Sequence, residues 1–297
     1  MELNKQRFSQ RHPFLFGLLL MFTAVALFSG AMAVWRSWVD KHPETFQVFA
    51  KPKIGLVSVE GMILDATDAL QWIRRLREDP SVKGILVRIN SPGGVVGPSQ
   101  ELHRGLERAA REKPLVVSMG AVAASGGYYV ATAGHTIMAN PGTLTGSIGV
   151  KLELTNLQGL MEKLGITRES LGSGQFKTTG SPFKELTPEE RDYFQAVIMD
   201  MHSQFVRDVA RGRKMSLEEV QALADGRIMT GLQAVEYGLV DALGGQEEAL
   251  EMLKKLAKIE EKVQLIKDPS LDAPLWKKVL GAVEGELRAL GPMWAYR

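Results

Sequence analysis

The sequence PLVVSMGAVAASGGYY, residues 114–129, decides the fold. Residues 114–119 are mostly apolar and predict a buried strand. Small residues, the hydroxyl of Ser125 and two glycines follow, before an apolar stretch long enough for a helix. A serine at a tight strand-to-helix turn lifts its Oγ out of the sheet, beside free N–H groups that favour developing negative charge. Ser125 is therefore a candidate nucleophile, although serine is also a common helix N-cap.

Strands and helices alternate upstream of this stretch. Short apolar strands are predicted over residues 54–59 and 85–89, and amphipathic helices over residues 65–78 and 98–113. Such alternation is typical of parallel βαβ units, in which helices cover both faces of the sheet. The sequence therefore predicts an α/β fold built on a parallel sheet.

Downstream, the pattern predicts a helix over residues 155–164, a short strand near Thr167 and a polar loop over residues 172–183. A capping box, Thr187 with Glu190, opens a long helix after this loop. Similar boxes are formed by Ser216 with Glu219 and by Thr230 with Gln233.

Gly93 and Gly94 follow the second predicted strand. Two adjacent glycines allow the backbone to turn sharply and to approach a ligand closely. Their N–H groups are candidates for an oxyanion hole, which needs donors that are already fixed in place. The alternative is an ordinary Pro-Gly turn.

The composition excludes several functions. The chain of 297 residues has no cysteine, which excludes disulfides, thiolate metal sites and a cysteine nucleophile. The formal net charge is +2 without a dense basic patch, so we expect no nucleic acid as partner. Neither a zinc-like ligand spacing nor a phosphate-binding loop is present, so we expect no metal and no cofactor.

An uncharged apolar segment lies between Arg11 and Arg36. As a helix it would exceed the ~30 Å hydrocarbon thickness of a bilayer. We predict a cytoplasmic N-terminus over residues 1–12, a transmembrane anchor over residues 13–35 and a linker over residues 36–53.

The charges around this segment weakly favour a cytoplasmic N-terminus, because Lys5, Arg7 and Arg11 precede it whereas Arg36 follows. The alternative is a cleaved signal peptide, since AMA at residues 31–33 fits a small-x-small cleavage site. Both predict that the rest of the chain lies outside the cytoplasm. We assign a catalytic domain to residues 54–266 and an amphipathic helical tail to residues 267–297.

A nucleophilic serine needs a base, and no histidine is well placed to serve as one. His12 lies beside the predicted anchor and His42 lies in the linker. His103 and His202 lie on helices whose charged faces predict solvent exposure. His135 follows Ser125 but is separated from it by a helix.

A lysine can replace histidine as the base if it is neutral, and burial against apolar groups favours the neutral form. Lys177 lies between Phe176 and Phe183 in the polar loop, which makes it a candidate. The alternative is an ordinary solvated lysine.

Five groups of residues resemble the signal peptide peptidase A family of bacterial membrane-anchored Ser-Lys proteases. Their order and spacing fit, and the resemblance covers about residues 52–255. The groups are NSPGG at 90–94, AASGGYY at 123–129, NPGT at 140–143 with GSIGV at 146–150, GQFK at 174–177 with SPF at 181–183, and DGR at 225–227 with GLVD at 238–241.

The resemblance implies a crotonase-like or Clp protease-like fold, in the short, single-domain form of the family. It implies Ser125 as nucleophile, Lys177 as general base, and the N–H of Gly93 or Gly94 in the oxyanion hole. The implied substrates are remnant signal peptides and other apolar peptides, and the implied location is the bacterial inner membrane, with the catalytic domain on the periplasmic side. Related proteases form homo-oligomeric rings in which serine and lysine come from neighbouring chains.

Two other functions are compatible with the pattern. A crotonase-type acyl-CoA enzyme would share the fold, but it would be cytoplasmic, which the N-terminal apolar segment argues against. A non-catalytic membrane scaffold would be indicated by loss of the serine or the lysine, and both are present.

Overall fold

The computed structural model describes residues 12–41 and 51–269. The chain divides into two units, Met1–Lys51 and Pro52–Arg297. The predicted C-terminal helix lies outside the described residues.

The first unit contains one described helix, α1, Pro13–Lys41. Its segment Phe14–Trp38 is long and apolar enough to cross a membrane, judged by length and composition, and its apolar side chains are exposed. The helix continues to Lys41, into the segment predicted as a linker.

The second unit contains one mixed sheet. Its strands within residues 51–269 are β1 Lys53–Glu60, β2 Val82–Ser91, β3 Leu115–Ala124, β4 Thr136–Ala139, β5 Leu144–Gly146, β6 Ile228–Thr230, β7 Ala242–Leu243 and β8 Gln264–Ile266. The main path runs β6-β5-β3-β2-β1-β8, and β4 joins β3 to β7. Within this sheet, every pairing is parallel apart from that of β5 with β6.

Helices cover both faces of this sheet. In chain order they are α2 Thr67–Glu78, α3 Val96–Ala110, α4 Gly126–Ala131, α5 Gln158–Lys163, α6 Pro188–Arg213, α7 Leu217–Leu223, α8 Gly231–Glu236 and α9 Gln246–Leu256. In β2, Val87 and Ile89 join the larger core, whereas Leu86 joins the smaller core with Leu253 of α9. The alternation follows from the opposite orientation of successive side chains in a strand. The predicted α/β fold with a largely parallel sheet is confirmed.

Two predictions for the region after residue 148 differ from the structure. The prediction of a strand near Thr167 is wrong. Residues 164–172 contain no strand, and most of them are exposed to solvent rather than paired with a neighbouring strand. The predicted helix over residues 155–164 is shorter, because α5 begins only at Gln158. By contrast, the predicted capping box of Thr187 and Glu190 is confirmed at the start of α6.

Candidate active site

Ser125 lies at the single-residue junction between β3 and α4, and its backbone is strained. Its dihedral angles are φ 52° and ψ −121°, a conformation that costs a non-glycine residue of order 1–3 kcal/mol. The side chain is half-buried and does not cap α4. The hydroxyl is thus not engaged in the N-cap role that the sequence left open, and backbone strain of this kind is typical of functional residues.

Strand β5 holds this turn in place. The Ser125 N–H donates to the Gly146 carbonyl at 2.9 Å. The buried Thr145 hydroxyl donates to the Ala123 carbonyl at 2.7 Å. Both bonds prevent the end of β3 from relaxing away from the strained geometry.

The two glycines of the NSPGG motif have different environments. The Gly93 N–H donates to the Oγ of Ser91, which is fully buried, at 3.1 Å. The Gly93 carbonyl accepts the Ile63 N–H at 2.9 Å, and the Val95 N–H donates to the Ile63 carbonyl at 2.8 Å. In this parallel bridge the N–H of the intervening Gly94 points away from Ile63.

Gly94 and Gly126 bring two N–H groups to the serine turn. A Cβ added to Gly126 would lie 3.2 Å from the Gly94 nitrogen, so the two backbones are close. Neither N–H has a protein acceptor within residues 51–269. Sequence reasoning missed Gly126, although the first residue of any helix carries an N–H without an intrahelical acceptor.

Two tyrosines fix α4 beneath Ser125. The Tyr128 hydroxyl is fully buried and donates to the Leu239 carbonyl at 2.9 Å. The Tyr129 hydroxyl donates to the Asp208 carboxylate of α6. Burial raises the pKa of both hydroxyls, so both are protonated donors at neutral pH. The helix below the serine is thereby joined to two distant segments of the chain.

The prediction that His103 is solvated was wrong. It is 3% exposed and packs edge-to-face against Tyr129, with ring centroids 4.9 Å apart. Burial lowers the pKa of His103, which favours the neutral ring. The charged residues around it on α3 concealed that its own position faces α4.

The other two described histidines of this unit also have structural partners. His135 accepts the Leu115 N–H through Nδ1 at 3.1 Å, at the end of β3 opposite to Ser125. His202 Nε2 lies 2.9 Å from the Ala224 carbonyl oxygen. Neither contact involves the serine turn.

Lys177 lies in the irregular segment between α5 and α6, and it is exposed. The expected aromatic cover is absent: Phe176 stacks on Tyr193 at 4.8 Å, and the Arg168 guanidinium lies 4.4 Å from the Phe183 ring centroid. Within the described residues, the Lys177 ammonium makes no ion pair or hydrogen bond, with Ser125 or with any other group. One chain therefore does not bring the two candidate residues into contact.

An unengaged, strained serine beside two free N–H groups, on a largely parallel α/β sheet, is the arrangement expected of a serine hydrolase. The model of peptidase family S49 matches residues 107–260, and the chain belongs to this family.

Similar proteins carry protease names. A protein of Synechocystis sp. named as a protease is 40% identical over 276 residues, which cover 85% of this chain and 99% of the relative. An Enterococcus faecium protein named signal peptide peptidase SppA is 39% identical, over 70% of this chain and 65% of that protein. The chloroplast serine protease SPPA of Arabidopsis thaliana is 36% identical, over 74% of this chain and 33% of the relative. The resemblance to the signal peptide peptidase A family is confirmed, and the chain is a serine-type peptidase.

The close approach of Gly94 to Ile63 generates a prediction. A Cβ at Gly94 would clash with the Ile63 backbone, at 2.5 Å from its nitrogen. Gly94→Ala must therefore displace the Gly94 N–H, and we expect peptide hydrolysis to fall by about 100-fold or more, as for loss of one oxyanion donor. The measurement is kcat/KM on an apolar peptide, together with the unfolding temperature.

Gly97→Ala is the matched control, because a Cβ there meets no atom within 4 Å. It should keep wild-type activity. A folded Gly94→Ala variant with wild-type kcat/KM would show that this amide has no part in the reaction.

Proposed function

We propose that this serine peptidase is a membrane-anchored endopeptidase that digests remnant signal peptides and other apolar peptides. Ser125 is the nucleophile and Lys177 the general base. The N–H groups of Gly94 and Gly126 form the oxyanion hole. The observation that carries the proposal is the strained Ser125 turn with two unengaged donors beside it.

The reaction follows from these groups. The neutral Lys177 amine accepts the Ser125 proton as Oγ attacks the scissile carbonyl carbon. The carbonyl oxygen becomes an oxyanion and accepts hydrogen bonds from Gly94 and Gly126. Collapse of the intermediate breaks the C–N bond, and the lysine returns the proton to the leaving amine. Water, deprotonated by the same lysine, then hydrolyses the acyl-enzyme and restores the serine.

Exposed apolar side chains around the serine turn support an apolar substrate. Met62 is 52% exposed and directly precedes Ile63, which pairs with Gly94. Leu144 is 44% exposed on β5, which pairs with the end of β3, and Ile228 is 60% exposed on β6, which pairs with β5. Apolar side chains in these positions favour an extended apolar peptide. The name of the Enterococcus faecium relative supports signal peptides as the source.

The long apolar helix α1 supports the membrane anchor. It also argues against a cytoplasmic acyl-CoA enzyme, as does membership of a peptidase family. A non-catalytic scaffold remains the rival, and covalent labelling of the serine separates it from an enzyme.

The nucleophile and base are tested by a fluorophosphonate probe and by peptide hydrolysis. Wild type should be labelled, whereas Ser125→Ala should lose both labelling and hydrolysis without loss of folding. Lys177→Met should lose hydrolysis, because it keeps the bulk of the side chain but removes the base. Lys163→Met, a change at another exposed lysine, is the control and should stay active. Hydrolysis by purified Ser125→Ala at the wild-type rate would contradict the assignment.

The anchor and its orientation are tested in bacterial cells. We expect alkaline carbonate washing to leave the full-length chain in the membrane, and trypsin added to intact spheroplasts to digest the catalytic domain. Release of a soluble form that lacks residues through about 33 would favour a cleaved signal peptide. Protection from trypsin in sealed spheroplasts would reverse the proposed orientation.

The position of Lys177 favours a base supplied by a neighbouring chain. Its loop contacts the first turns of α6, through Tyr193 among others, whereas the helix of the nucleophile contacts α6 at Asp208. Tyr193 and Asp208 are separated by about 22 Å along α6, at ~1.5 Å per residue. In a ring with heterologous interfaces, the loop of one chain can cover the serine turn of the next, which would also shield the exposed lysine from water.

Complementation tests this arrangement. Chains with Ser125→Ala and chains with Lys177→Met, inactive alone, should regain part of the activity when they are co-expressed. Some interfaces of the mixed oligomer then hold both intact residues. The control is a mixture of wild type with the double variant, which should be active. Verified mixed oligomers that stay inactive while this control is active would place the dyad within one chain.

A further inference from the structure

Glu190 is a buried carboxylate that the proposed reaction does not use. It lies in the first turn of α6 and is 4% exposed. Its carboxylate accepts the Thr187 N–H at 3.2 Å, which closes the capping box. It also accepts the Thr179 hydroxyl at 3.0 Å and binds the Lys184 ammonium. The last two partners belong to the irregular segment between α5 and α6, which carries Lys177 and is called the Lys177 loop below.

These contacts hold the backbone after Lys177, and a second contact holds the backbone before it. Thr179, bound to Glu190, follows Lys177 by two residues. Phe176 directly precedes Lys177 and stacks on Tyr193 with an interplanar angle of 20°. Glu190 and Tyr193 are three residues apart and share one face of α6. The lysine thus lies between two anchors on the same helix face.

A capping box alone does not explain the burial of Glu190. The capping box of α7 uses Glu219, and Glu248 accepts the Gly245 N–H at the start of α9. Both carboxylates are exposed, and each binds the backbone N–H at the start of its own helix. Burying a carboxylate is costly unless partners compensate for the lost water. The additional partners of the Glu190 carboxylate are all residues of the Lys177 loop. The burial of Glu190 therefore follows from the attachment of that loop.

We propose that Glu190 is a positioning residue, which sets the place of the Lys177 amine through Thr179 and Lys184 without touching the substrate. The inference rests on the proposed role of Lys177. The Lys184 ammonium holds the pKa of the Glu190 carboxyl below its usual range, so the anchor is ionised at every pH at which a lysine can act as a base.

The test uses the full-length protein with kcat and KM measured separately on an apolar peptide. Thr179→Val removes the hydroxyl that reaches Glu190 and keeps the size of the side chain. We expect kcat to fall by about 100-fold, the effect of a base displaced by about 1 Å, with KM close to wild type. Thr179→Ser retains the hydroxyl and should restore kcat. Glu190→Gln removes the charge that binds Lys184 and should also lower kcat.

Glu219→Gln is the control, because it alters an equivalent capping box that has no bond to the loop. It should keep the wild-type kcat. A Thr179→Val variant that is folded and has wild-type kcat would overturn the proposal. A loss seen only in KM or in the unfolding temperature would also overturn it, since it would indicate a merely structural role.

Failure of this inference can be distinguished from failure of the proposed function. If Lys177→Met is active, the lysine is not the base, and the proposed function fails together with its positioning residue. If Lys177→Met is inactive but Thr179→Val and Thr179→Ser share the wild-type kcat, the base assignment stands and only the role of Glu190 is wrong.

Discussion

The hydrogen bond from the Ser125 N–H to the Gly146 carbonyl is the interaction on which the active-site geometry depends. It extends the β3–β5 pairing by one residue, beyond Ala124, into a backbone conformation that serine rarely adopts. Without it, the turn could relax toward an ordinary helix start, and Ser125 could then cap α4 with its own side chain. The strand pairing therefore keeps the hydroxyl free.

Local pattern predicted β1, β2, β3 and the helices between them, because these segments have clear apolar periodicity. The strand before Ser125, the βαβ alternation and the capping box at Thr187 all follow from residues close together in sequence. Gly93 and Gly94 could not be separated in this way. Their difference depends on the bridge to Ile63 and on the buried Ser91, both of which are tertiary contacts.

The wrong predictions also concern tertiary contacts between residues that are distant in sequence. His103 lies on a charged helix, but its side chain meets Tyr129, a residue distant in sequence. Phe176 and Phe183 flank Lys177 in sequence, yet their rings pack on Tyr193 and Arg168 rather than on the lysine. Neighbours in sequence predict a side chain's environment only where regular structure fixes its direction, and the loop before α6 is irregular.

Helix α6 has a consequence for control of the enzyme. Its first turns hold the loop of the proposed base, while its later turns hold the helix of the nucleophile, so the two attachment points are separated along one helix. If a neighbouring chain supplies the base, as proposed, a chain on its own would be inactive until it assembles with another. Proteolysis would then begin only where the density of chains is high enough for them to associate. A chain that is still unassembled would not cleave other proteins nearby.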